Sequence, residues 1–213
     1  MKVKRTEKIK VDLFQVGDII SFKLNGGERV QMLAVKDELD GMIFCSVDCL
    51  AEESCMNKSS SSAGGWNESN LRAKLNGKIL SRFPEKIKEM LIPFANGDLI
   101  RIPTVSEIFG ENEYGKSVAD AEQWEPMKQR RNRTALRGLN GAWRWYWLKD
   151  RVPNPEALFV RVNGGGGFAH CALASLAAGV RPVVKIKNPI SVHACQVQDD
   201  EDEQGGEKYG RTD

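Results

Sequence analysis

Histidine is scarce in this 213-residue sequence, with two positions, His170 and His193. That leaves little material for a nucleophile–base pair or an imidazole-rich metal centre. Long apolar runs are missing too: no stretch approaches the ~18 residues that a membrane-spanning helix needs. The basic opening, MKVKRTEKIK, is followed by no apolar segment, which argues against a secretory leader and for a chain that is cytoplasmic as made. Cysteine is sparse and odd in number, with five residues at 45, 49, 55, 171 and 195. Without a leader, that count predicts reduced thiols rather than a disulfide framework. Cys45, Cys49 and Cys55 are one ligand short of a closed zinc site, so they read as small buried apolar residues. No H-E-x-x-H, zinc-ribbon spacing, EF-hand loop or Gly-Lys-Ser/Thr phosphate loop occurs. No metal site and no cofactor is expected.

What is present suits a soluble globular protein of mixed secondary structure, with 41% apolar and 28% charged residues. The net charge of +2 names no partner, but its distribution is uneven. Eight basic residues (Lys128, Arg130, Arg131, Arg133, Arg137, Arg144, Lys149, Arg151) face a single acid, Asp150, between 128 and 151. The last sixteen residues hold seven acids against Lys208 and Arg211. The chain divides into an N-terminal extension (1–11), one domain (12–189) and an acidic tail (190–213) expected to be disordered and dispensable.

Periodicity within the domain gives an α+β order. Ile20, Phe22 and Leu24 alternate with polar residues, Asn25-Gly26-Gly27 signals a hairpin turn, and Val30, Met32 and Ala34 resume the alternation. Asp40-Gly41 and the run from Met42 to Val47 complete a β-meander. KSSSSAGG at 58–65 reads as a flexible loop closed by Trp66. Leu71 and Leu75 place a helix over about 67–76, with Asn76-Gly77 as its stop. A second helix is expected after Pro84, a short strand over 99–102, and a capping box at Thr104-Val105-Ser106-Glu107 starting a helix that ends near Gly110. Residues 111–141 read mostly as loop. Strands are expected at 143–148, 158–162 and 180–186, the last pushed to an edge or bulge by Pro182. Trp66, Leu71, Leu75, Trp147 and Val180 should share one core.

Three segments invite chemistry. Asn163-Gly164-Gly165-Gly166-Gly167 lies between an apolar strand and an Ala-rich segment, and Gly164, Gly166 and Ala169 match a degenerate dinucleotide fingerprint if 168–179 is helical. The missing second βαβ unit and the missing ribose-binding acid count against that reading. His170 adjoins Cys171, but neighbours on a strand point to opposite faces and make no dyad. The basic stretch with Trp143, Trp145, Tyr146 and Trp147 could bind single-stranded nucleic acid by stacking and phosphate contacts. Alternation instead puts Trp145 and Trp147 in a core, and Arg144 and Tyr146 outside.

A set of segments in fixed order carries a family resemblance: FQVGDII at 14–20, GGWNESNLR at 64–72, Leu75-Asn76, IPTVSEIFG at 102–110, YWLKD at 146–150 and GVRP at 179–182. Together they resemble DUF6273, a domain family of unknown function found in Firmicutes and their phages. The resemblance covers about residues 12–187 and departs from the usual W-W-L-R-S at Tyr146 and Lys149-Asp150. It implies a C-type-lectin-like fold, related to sulfatase-modifying-factor proteins and to variable proteins of diversity-generating retroelements, with small mixed sheets, two main helices and long loops. The implied function is non-enzymatic binding of a protein or glycan by a phage or prophage protein, cytoplasmic as made or carried on a virion. The implied contact residues are Asn140, Arg144, Tyr146, Asn163, Gly165, Phe168 and His170. Variable positions would fall within 140–151 and 163–178. Nucleic-acid binding through 128–151 is the alternative, and a small enzyme on the formylglycine-generating fold comes third. That enzyme's copper cysteine pair does not map onto Cys171 and Cys195. Glu125-Pro126-Met127 lacks the asparagine of a calcium-lectin loop.

Overall fold

A computed structural model gives the structure of the chain and describes residues 14–110, 122–138, 141–152 and 154–188. The extension 1–11, Asn140, His193, Cys195 and the acidic tail 190–213 lie outside the described residues. The architecture is α+β, with curled antiparallel sheets and short helices. β1 (Ile19–Lys23), β2 (Arg29–Glu38) and β3 (Gly41–Ser46) form the expected meander. Gly26 and Gly27 take φ of 105° and 90° in its first turn, a backbone conformation that side chains disfavour.

Ser69 caps α1 (Asn70–Lys74) by accepting from the Arg72 amide. The expected stop at Asn76-Gly77 does not occur. Winding continues as a π-helical turn over Leu75–Ile79 and a tight 3-10 turn over Leu80–Arg82. Asn76 turns its amide onto a neighbouring segment instead, accepting from Leu99 N at 2.8 Å and donating to Ile100 O at 2.8 Å. Leu75 and Ile79 stay buried. α2 (Glu85–Lys88) follows Pro84 as expected, and β4 (Leu91–Ile92) comes next. Residues 99–102 form no strand; Arg101 makes a single backbone bridge to Val183, while Ile100 and Ile102 pack into the same core as Met42 and Phe44. α3 (Val105–Phe109) starts with the full capping box of Thr104 and Glu107 and ends at Gly110, φ 77°. A 3-10 turn at Glu125–Lys128 leads into α4 (Arg130–Arg133).

The aromatic strand begins later than expected, as β5 (Tyr146–Arg151), and pairs with β6 (Leu158–Val162), which pairs with β7 (Ala169–Leu173). The four glycines therefore turn between two antiparallel strands, with Val162 opposite Ala169. No helix follows them, so nothing offers a pyrophosphate a helix N-terminus, and the dinucleotide reading is overturned. Pairing with the β-branched β6 overrides the helix propensity of the alanines. β8 (Val183–Ile186) lies inside the larger sheet, in the order β1-β2-β3-β8-β4. Pro182 does not push it to an edge. The proline stands one residue before the strand, where no ladder donor is lost, and its carbonyl accepts from Ser46 N at 2.8 Å.

Both sheets contribute to two hydrophobic clusters. One holds Met42, Phe44, Trp147, Phe159, Ala172 and Val184, covered by Leu71, Leu75 and Ile79. Trp66 and Val180 belong to it too, so the five residues expected to share a core do. The other cluster holds Ile43, Tyr146, Leu148, Val160, Val162 and Val183, covered by Val105 and Ile108 of α3 with Trp124 and Met127. Alternate residues of β3, β5, β6 and β8 thus feed opposite cores. This corrects the expected outward Tyr146, which is 0% exposed. The expectation assumed a strand with one buried face, and β5 has two. Among the described residues, no helix is long and apolar enough to cross a membrane.

Candidate ligand-binding face

Registration across β5, β6 and β7 puts Trp147, Arg161 and His170 in one row, Trp147 opposite Arg161 and Arg161 opposite His170. Trp147 enters the first core, while the row's outer end reaches solvent. Trp145 lies half-buried just before β5, and its ring organises that end. Phe168 meets it edge-on at 6.5 Å between centroids, His170 at 6.0 Å, and the Arg161 guanidinium lies 4.2 Å from its centroid. Trp143 is 65% exposed and Phe168 52% exposed, large values for side chains that normally contribute to cores.

The glycine turn supports this face. Asn163 accepts from Gly167 N through its side chain at 3.0 Å and from Gly166 N through its carbonyl at 2.8 Å. Arg130 and Arg133 donate to the carbonyls of Gly165 and Gly166, both at 3.0 Å. A Cβ on Gly165 would lie 3.8 Å from the Trp143 ring, so the indole rests against the turn. Arg133 is itself fixed from the core. Tyr146 donates its hydroxyl to Arg133 O at 2.9 Å and accepts from Arg181 at 3.1 Å. Arg181, fully buried, also donates to Ser46 O at 2.6 Å and Asn132 O at 2.9 Å. A chain of polar contacts therefore runs from Arg181 through Tyr146 and Arg133 to the turn.

The seven expected contact residues separate on this geometry. Phe168 and His170 lie on the exposed face beside Trp145. Asn163 and Gly165 shape the turn. Arg144 is half-buried and paired with Glu53, and Tyr146 is a core support. Asn140 is among the residues not described. Arg161 was missed. Its guanidinium makes no hydrogen bond or ion pair among the described residues, and its Nε is buried without a partner. Desolvation depresses its pKa from the ordinary arginine value. The available signal was a lone arginine between Val160 and Val162 in an apolar strand.

His170 Nδ1 contacts Cys171 O at 2.7 Å, and since a carbonyl only accepts, Nδ1 carries the proton when the ring is neutral. Cys171 pairs laterally with Val160 on the other face of β7, so the two residues form no dyad. Burial pushes the Cys49 thiol up to about 12 and raises that of Cys45, leaving both as inert thiols. Among the described residues, no group of three or more His, Cys, Asp or Glu could hold a metal. Most of the basic run is internally engaged: Arg130 and Arg133 on the turn, Arg137 on Ala51 O, Arg144 on Glu53, and Lys128 on Glu125. Comparison with protein-family models, with curated proteins and with solved structures returned no match.

Proposed function

We propose that the chain is a non-enzymatic binding domain whose ligand, a protein or a glycan, is held by the face of Trp143, Trp145, Arg161, Phe168 and His170. The observation that carries this reading is Trp143, 65% exposed and resting against the glycine turn that two arginines hold. Exposed aromatics on a rigid support lose little entropy on binding, and aromatics with arginine are enriched at binding hot spots. The sequence resemblance supports a finer version, a C-type-lectin-like scaffold of the DUF6273 kind carried by a phage or prophage. On that version, residues 163–170 of the face fall within the segment where variation would concentrate.

The test pairs wild type with a Trp143→Ala, Phe168→Ala double variant on an immobilised glycan panel and on bacterial surface proteins. Both side chains are solvent-facing, so melting temperature should hold while affinity falls by at least ~2 kcal/mol. Unchanged affinity in the folded variant would move the binding face elsewhere. The nucleic-acid alternative predicts affinity for single-stranded DNA or RNA that falls steeply with salt. The number of arginines already bonded to backbone carbonyls weighs against it.

A further inference from the structure

The other end of β5 carries a separate polar feature. Pairing with β6 runs Trp147↔Arg161 and resumes at Arg151↔Phe159, so β5 bulges between those positions. Bulges re-aim side chains, and they are common beside functional sites. Here the freed backbone bonds elsewhere. Lys149 N donates to Pro103 O at 2.9 Å, and beside it the Asp150 side-chain carboxylate accepts from Val105 N at 2.7 Å. Lys149 and Asp150 both line a cleft of about 460 Å³, together with Asn67, Phe94, Asn96 and Glu107. That volume lies in the range that takes a small organic ligand.

Most charges around the cleft are settled within the protein. Arg101 gives Glu107 two bonds, at 2.8 Å and 2.6 Å, and Asn96 is bonded to Asp98. Lys149 is the exception. It is half-buried, and its ammonium makes no hydrogen bond or direct ion pair among the described residues; it lies 6.0 Å from the Trp66 ring centroid and feels the charges of Glu107, Asp98 and Asp150. Its N–H donors are thus left without a protein acceptor in a partly desolvated site, and an acceptor oxygen entering the cleft would satisfy them. Asp150 has one oxygen engaged by Val105 and makes no hydrogen bond with another residue through the second.

We propose that this cleft binds a small carboxylate bearing a neighbouring hydroxyl or ammonium group, the carboxylate on Lys149 and the donor on Asp150. This describes a hydroxy acid, an amino acid or a sugar acid. Lys149 is the one cation lining the cleft that makes no direct hydrogen bond, and Asp150 and Glu107 add negative charge there, so the ligand's second group must be a donor and a phosphate dianion would meet net repulsion. Burial, with Arg101 nearby, holds the Lys149 pKa below the ordinary lysine value, and burial raises that of Asp150.

The proposal is tested by NMR titration of the full chain with L-lactate, L-alanine and D-gluconate, with acetate as the control that lacks the second donor. At least one of the three should shift the amides of 103–107 and 149–151 and bind ~10-fold more tightly than acetate. Lys149→Met should abolish the shifts. Asp150→Asn keeps an acceptor for Val105 and should reduce the better ligand to acetate's affinity. Should Lys149→Met fail to fold, Lys149→Gln serves for the same comparison. The Trp143→Ala, Phe168→Ala variant should bind these ligands as wild type does, which separates this cleft from the aromatic face. None of the three surpassing acetate, or a folded Lys149 variant binding undiminished, would overturn the assignment.

Discussion

At the scale of single residues, Glu107 joins local and tertiary order through one carboxylate. It accepts from the Thr104 amide to close the capping box, and takes two bonds from the buried Arg101 guanidinium. Burial pushes its pKa up, but the charge and hydrogen bonds of Arg101, with the Thr104 amide, outweigh this and hold it below the ordinary glutamate value. A depressed folded pKa gives stability that is present above the unfolded value and is lost as pH falls through the folded one. Glu107→Gln should therefore cost about 3–5 kcal/mol at neutral pH, because it strands the guanidinium. The gap from wild type should narrow in acid, where the wild-type carboxylate is protonated as well. Urea denaturation at several pH values reads this directly, and a gap independent of pH would contradict the coupling. The box itself was legible in the letters TVSE, because a cap is a matter of four consecutive residues. The Arg101 partnership was not, since it depends on how 99–102 lies against β8.

Among the elements, the glycine turn is where sequence and geometry diverged most. Four glycines announced unusual backbone, but not whether a helix or a strand followed. That was decided by pairing with β6, which no local pattern encodes. The aromatic strand was misjudged for a related reason. Its composition declared a core, and Trp147 is in it, yet alternation assigns sides only when one face is wet. Gly166 shows what the turn requires. Its φ is 63°, and an added Cβ would sit 2.6 Å from Thr134 N and 2.8 Å from Arg133 C, both backbone atoms. Gly166→Ala should therefore destabilise by well over ~1 kcal/mol, through strain plus displacement of α4. Gly26→Ala makes the comparison, since its φ is 105° but nothing lies within 4 Å of the added atom. Thermal denaturation should show the larger loss at Gly166. Equal losses would mean that contact with 133–134 carries no weight.

At the scale of the whole molecule, both clusters draw on both sheets, so neither core can melt while the other survives intact. Far-UV circular dichroism and tryptophan fluorescence should report one coincident unfolding transition. Leu75→Ala in one cluster and Ile108→Ala in the other should each cost about 2–5 kcal/mol. Their effects should add in the double variant, because the two side chains lie in different clusters. Two separated transitions would show independent subdomains. The interior position of β8 also governs how the protein is made. Met42 pairs with Ile186, and Cys45 with Val183, so the free edge of β3 waits for a partner synthesised more than a hundred residues later. Throughout translation of the intervening chain, that edge offers unpaired amides and carbonyls flanked by Ile43 and Phe44, a template for wrong partners. Closure at such separation is slow. The state most exposed to aggregation is therefore the growing polypeptide on the ribosome, and a chaperone holding that edge until 183–186 emerges would raise the yield of folded molecules.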